Sequence, residues 1–448
     1  MDRLRDAVRL IDSGDPGSAL GFLEQHLDDN PNDAECLYTL GAAFFDRGNI
    51  GVAFQMFQQS MRIAPEKAAP YNGIGRCLSK WNQREDAATY YAKALEKDPQ
   101  YRHALSNMGT VMHAMGRHDD AMEFYNRAVD LDPDVPDTLG NMGMVLMTKG
   151  DWSSGWRCMH AHVGCPERPE RFYGHAQMWL DGEFDRLVVY GEQGVGDEVF
   201  FSALLPELKG GQVLLETSPK LAGLFSRSFP WLTVKPTRTS DPLWATDFHP
   251  THKIPISSLP MHFWPSPNFC PRKPYLKACP DRRKMVRALL DGLPGKKIGL
   301  AWTGGMPVGN GYERQIDAET MLRGLGVSPW HSKRNDVTFI SLQYKEPPLV
   351  PGVIHWPWMV ESPDYDDTAA LVAELDAVIS VPTSVINLSG ALGTPTWVLL
   401  PDDYHHWRYG LNQDMHPWFG CVRIVRQPWD LVRTLVEATD GARKLRAA

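Results

Sequence analysis

The sequence has little cysteine. Its seven cysteines, at positions 36, 77, 158, 165, 270, 279 and 421 of 448, are odd in number, scattered and never spaced as CxxC. That spacing excludes a disulfide framework and a compact zinc site, and it points to reduced thiols in a cytoplasm. No run approaches the roughly 20 apolar residues of a membrane span. The charged start, Met1-Asp2-Arg3-Leu4-Arg5-Asp6, has no apolar segment of a secretion signal. Excess positive charge is also missing: the formal charge is −8, which argues against a nucleic-acid partner because phosphate binding needs a basic face. The short run Arg282-Arg283-Lys284 reads as a solvated helix face. There is no GxSxG, Walker lysine or GxGxxG pattern. His249-Pro250-Thr251-His252 and His405-His406 lack a third ligand at metal spacing. No metal and no cofactor is expected.

What is present first is repetition. Pro31, Pro65, Pro99 and Pro133 lie 34 residues apart, as do Gly41, Gly75, Gly109 and Gly143, and Ala53, Ala87 and Ala121. Phe57, Tyr91 and Tyr125 follow each alanine by four residues, and Gly48, Asn82, Gly116 and Gly150 occupy one turn position. The period predicts pairs of antiparallel helices. The small residue lets them approach, Gly or Asn takes a left-handed cap, and proline ends each unit. This pattern resembles the tetratricopeptide repeat. Residues 34–67, 68–101 and 102–135 read as complete units, and 1–162 as the whole array. Its expected use is a concave groove for a protein or peptide, with Tyr71, Asn72, Asn107 and Asn141 as candidate groove residues. The alternative is that the array only braces the rest or forms an oligomer contact.

After a linker at 163–185 the pattern alternates strand and helix. Strands are predicted at 187–190, 213–216, 298–302, 338–341, 377–381 and 397–400. Helices are predicted at 197–208, 219–228, 368–375, 383–392 and 429–439. Residues 229–275 read as loop. Such βαβ writing implies parallel sheets in two halves, 186–290 and 291–448, with ligands at the strand carboxyl ends.

Three stretches could carry chemistry there. Gly194-Val195-Gly196-Asp197 stands where a strand meets a helix. Its glycines would let a phosphate approach, and Asp197 could accept a proton or merely cap the helix. Trp302-Thr303-Gly304-Gly305, with Arg314 beyond it, could cradle a diphosphate or be a plain surface loop. Thr383-Ser384 opens a helix whose dipole and hydroxyls suit a diphosphate, or act as an N-cap alone. Asp364-Tyr365-Asp366 fits the DxD pattern of metal-dependent sugar transferases, but it stands before a predicted helix, where capping and solvation account for it.

The segments "GEQGVGDEVFFSALLPEL", "VLLETSPKLAGLFSRSFP", "IGLAWTGG", "FISLQ", "DDTAALVAELDAVISVPTSVINLSGALGTPTWVLLP", "WRYG" and "HPWFGCVRIVRQ" together resemble the lipopolysaccharide heptosyltransferases. That resemblance implies a GT-B glycosyltransferase module of two Rossmann-like halves fused to the repeat array. It makes Asp197 the base of a metal-independent, inverting transfer. It carries nucleotide-sugar contacts onto Thr303, Gly304, Arg314, Gln343, Thr383 and Ser384; Gly305 and Asn387 are further candidate donor contacts beside them, and Gly194 and Gly196 form the candidate phosphate turn. The family has Asp before the Thr and His three residues after the Ser, where this chain has Pro382 and Asn387. The implied partners are a nucleotide-sugar donor and a protein acceptor held by the arm, such as a flagellin or other surface subunit. One rival is a non-catalytic repeat adaptor with a degenerate transferase-like platform. Another is a sugar-nucleotide epimerase, for which no further cleft acids are identified.

Overall fold

Glycine at one position of each repeat is explained by what faces it. In the computed structural model, which describes residues 16–165, 168, 170–237, 244–264, 272–304, 316–326, 336–344, 352–402, 404–411 and 413–440, the 34-residue period folds into helical hairpins. These are Ala34–Asp46 with Ile50–Ile63, Ala68–Lys80 with Arg84–Lys97, and Arg102–Ala114 with His118–Leu131. The helices Pro16–Asp29 and Pro136–Thr148 flank them. A methyl group at Gly41, Gly75 or Gly109 would lie 2.8, 2.5 or 2.7 Å from the ring of Phe57, Tyr91 or Tyr125. Those rings and Ala53, Ala87 and Ala121 are buried. Gly48, Asn82, Gly116 and Gly150 all have positive φ, as the left-handed cap requires. Asn82 at φ 59° meets no steric penalty large enough to break the turn, since asparagine tolerates that region.

The chain divides into two compact units, with the main division between Val145 and Leu146. The second unit contains two sheets, all of whose pairings are parallel. The first comprises β1 (Gln177–Met178), β2 (Arg186–Tyr190), β3 (Gln212–Glu216), β4 (Thr233–Lys235) and β5 (His252–Pro255), in the order β1-β5-β2-β3-β4. The second comprises β6 (Lys296–Ala301), β7 (Val337–Ser341), β8 (Val353–Ile354), β9 (Ala377–Ser380), β10 (Thr396–Leu400) and β11 (Val422–Arg426), in the order β11-β10-β9-β6-β7-β8. Strands β7, β9 and β10 are buried along their whole length, as expected of parallel strands covered on both faces. Ile298, Leu300, Ile379, Trp397 and Leu399 meet Met321 and Leu435 in one core.

Residues 229–275, read as loop, contain β4 and β5, and β5 lies between β1 and β2. Arg282 and Arg283 also depart from expectation. The Pro280–Asp291 helix turns them onto carboxylates: Arg282 pairs with Asp364 and Asp367, and Arg283 with Glu374. A third cluster gathers Trp152 and Trp156 of the Trp152–Ala161 helix with Trp264, Trp407, Trp418 and Phe200.

Candidate functional site

Strand ends of both sheets meet at a cavity of about 330 Å³. Its lining comes from the residues just past β2, β3, β6, β7 and β9, together with the loop and helix around Ser362 and Tyr365. Of the residues proposed from sequence, Thr303, Gly304, Gln343, Thr383 and Ser384 line it. Gly305 and Arg314 lie outside the described residues. Gln343 fixes the β6 end: its Oε1 accepts from the backbone N–H groups of Trp302 and Thr303, at 3.2 and 3.1 Å, and its Nε2 donates to Thr303 Oγ1. Thr383 is the N-cap of the Ser384–Leu392 helix, accepting from the Val385 N–H at 3.2 Å.

The glycine turn after β2 has a different job for each residue. Gly194 is the N-cap of the Val195–Phe201 helix, and Asp197 lies inside the first turn. Asp197 is therefore not the cap. Its Oδ1 accepts a hydrogen bond from Arg408 Nη2 at 2.6 Å. Arg408 in turn lies over the rings of Phe200 and Trp407. Gly196 packs against a neighbouring helix: a methyl group there would stand 3.0 Å from Ser384 Cβ and 3.3 Å from Asn387 Nδ2. Asn387, 7% exposed, donates to the Gly196 carbonyl at 2.9 Å and does not line the cavity. The sequence placed Asn387 on the donor; here it joins the two helices that carry the two strand ends.

Carboxylates around the turn are buried and engaged. Glu198 accepts from the Ser218 N–H and from Thr217 Oγ1, tying the helix to the end of β3. Gly191 is needed beside it, because a methyl group would fall 2.4 Å from the Glu198 carboxyl carbon. Glu192 pairs with Arg168 and accepts from Ser257. Burial pushes the Glu192 carboxyl up, and Arg168 opposes that shift.

The DxD acids are consumed structurally. Asp364 is the N-cap of the Tyr365–Glu374 helix and pairs with Arg282. Asp366 is buried, not solvated, where it takes Arg227 and the Cys279 N–H. Sequence reading missed Arg408, which stands in the "WRYG" segment, and the cavity residues Lys220, Tyr344 and Tyr365. Lys220 and Tyr344 each follow a strand closely, and that position was their available signal.

On the repeat array, Asn72 and Asn107 bond to each other, Nδ2 to Oδ1 at 2.9 Å, with Asn72 buried. Tyr71 donates to the Pro65 carbonyl. A tetratricopeptide-repeat profile matches residues 82–138. The N-terminal region is a tetratricopeptide-repeat array. Over 450 aligned residues the chain is 26% identical to Protein FlbA of Caulobacter vibrioides, covering 90% of this chain. The chain spans 66% of that relative's length. Three solved structures align with about a third of the chain. A repeat protein of Thermus thermophilus is 21% identical, covers 35% of this chain and 86% of its own, and has a TM-score of 0.33. Pseudomonas aeruginosa PilF is 17% identical, covers 38% and 78%, and has a TM-score of 0.34. MamA of Desulfovibrio magneticus is 22% identical, covers 35% and 92%, and has a TM-score of 0.30. Among the described residues, no helix is long and apolar enough to cross a membrane.

Proposed function

We propose that the protein is a glycosyltransferase that takes a nucleotide-sugar donor in the cavity and a protein acceptor on the repeat array. The observation that carries this reading is convergence. Thr303, Gly304, Gln343, Thr383 and Ser384 come from three separate stretches of sequence, and all five border one cavity at strand carboxyl ends. The order β8-β7-β6-β9-β10-β11 supports a Rossmann-like half, because it is the 3-2-1-4-5-6 order of doubly wound nucleotide-binding sheets. In this reading 186–290 and 291–448 are the two halves of a GT-B module, 163–185 is the linker and 1–162 is the arm. Asp197 takes the acceptor proton, and the leaving diphosphate is held by the 383–384 helix start and Arg314 without a metal. The work is assigned to the cytoplasm, where the cysteines stay reduced.

A second reading has specific support. Asp197 is already occupied by Arg408, and Asn387 by the Gly196 carbonyl. The family profile that matches also lies in the repeat array. A repeat adaptor on a non-catalytic platform needs nothing more. Incubating the full-length protein with labelled nucleotide sugars and candidate acceptors, a flagellin among them, in EDTA tests the choice. Label on the acceptor supports the transferase. Acceptor binding with no label from any donor supports the adaptor.

A further inference from the structure

The cavity's charge is one-sided. Among the described residues that line it, Lys220 is the single cation, and no carboxylate is present. The remaining polar lining is hydroxyl-rich: Thr303, Ser362, Tyr365, Thr368, Thr383 and Ser384. Tyr365 is held beside Ser384, and burial pushes its phenol up, so it stays a neutral donor. Lys220 follows β3 in the first sheet, and Tyr344 follows β7 in the second. The Lys220 ammonium lies 5.3 Å from the Tyr344 ring centroid, so the pair joins the two sides of the cavity mouth. Tyr344 is half-exposed.

We propose that Lys220 and Tyr344 are a two-sided recognition pair for a nucleoside diphosphate. Lys220 meets the diphosphate and Tyr344 stacks on the base. An ammonium over an aromatic ring at a solvated mouth is a weak contact. A diphosphate offers the same ammonium full negative charge and several acceptor oxygens, so it displaces the ring. The ring face released is flat and apolar, which suits a planar base. Among the described residues the lining holds no carboxylate, so they set no like-charge repulsion against an anionic ligand. The first sheet thus supplies a side-chain donor contact, where sequence had offered only the Gly194 and Gly196 backbone turn from that half.

This inference rests on the transferase reading, and the experiment separates the two. ADP, GDP, UDP and CDP are titrated by calorimetry into the full-length protein, with inorganic pyrophosphate as the comparator without a base. For the tightest nucleotide, Lys220→Met should weaken binding at least tenfold, and Lys220→Arg should restore most of it. Tyr344→Ala should weaken the nucleotide several-fold and leave pyrophosphate unchanged. Lys220→Met should also flatten the dependence of affinity on salt. Wild-type binding that Lys220→Met leaves unaltered would overturn the pair while keeping the donor site. Equal losses for nucleotide and pyrophosphate in Tyr344→Ala would overturn the stacking role. If the wild type binds none of the four nucleotides, the donor reading and this inference fall together.

Discussion

Asp197 and His416 show how single side chains are set by what surrounds them. Arg408 holds Asp197 in the first turn of the Val195–Phe201 helix. Asp197→Asn keeps the size and one acceptor oxygen but takes no proton. On the proposed transferase reading the variant should fold, bind donor as the wild type does, and transfer sugar on the order of 10²–10⁴-fold more slowly. Steady-state transfer rates alongside donor calorimetry check this, and an unchanged rate would move the base elsewhere. His416 is a buried neutral imidazole whose Nδ1 accepts from the Trp418 N–H at 3.1 Å. Burial first, and Arg408 second, hold it down to about 3. An unfolded histidine takes a proton near pH 6.5. The folded protein therefore holds this contribution in full above that pH and loses it as pH falls from about 6.5 toward 3. Over that range the loss should approach ~1 kcal/mol per pH unit. Denaturant titrations of the wild type and His416→Asn at pH 7, 6 and 5 should show a shallower fall in the variant.

Among the elements, the repeat helices were the most legible, because one residue choice answers one packing need. Gly75 faces Tyr91 at a distance no methyl group fits. Gly75→Ala should destabilise the array by ~1–3 kcal/mol through overpacking, and Gly51→Ala, with open space around it, should not. Thermal melts of the two variants compare them directly. The central strands were legible for a similar reason: β9 and β10 are short apolar runs with no competing period. The helix read as 197–208 ends at Phe201 and tightens into a 3₁₀ segment over Ser202–Glu207, where Pro206 cannot continue an α-helix. Strand β5 was missed because His252-Lys253-Ile254-Pro255 carries a charge and a proline. Lys253 is nevertheless buried, donating to the Arg171 carbonyl and pairing with Glu170. The candidate site was legible only in part, since sequence order hides which strand ends converge. Thr303 and Thr383 could be read singly, but the Arg408 contact to Asp197 spans 211 positions and leaves no local pattern.

At the scale of the whole molecule, the chain divides into two compact units, and the proposed function gives each its own task. Deleting residues 1–135 cuts at a repeat boundary and keeps the Pro136–Thr148 helix. The truncated protein should still bind and slowly hydrolyse the donor, while transfer to a protein acceptor is lost. Equal transfer by the truncated and full-length proteins would remove the acceptor role from the array. The tryptophan cluster has a consequence in time as well as in space. Trp152 and Trp156 leave the ribosome long before Trp407, which packs edge-on against both. At about 5–20 residues per second, the roughly 250 intervening residues take on the order of 10–50 s to synthesise. For that interval the nascent chain holds large aromatic faces without their final cover. It is then that a holdase chaperone has most to bind, and a stall before residue 407 would leave a sticky, unfinished polypeptide.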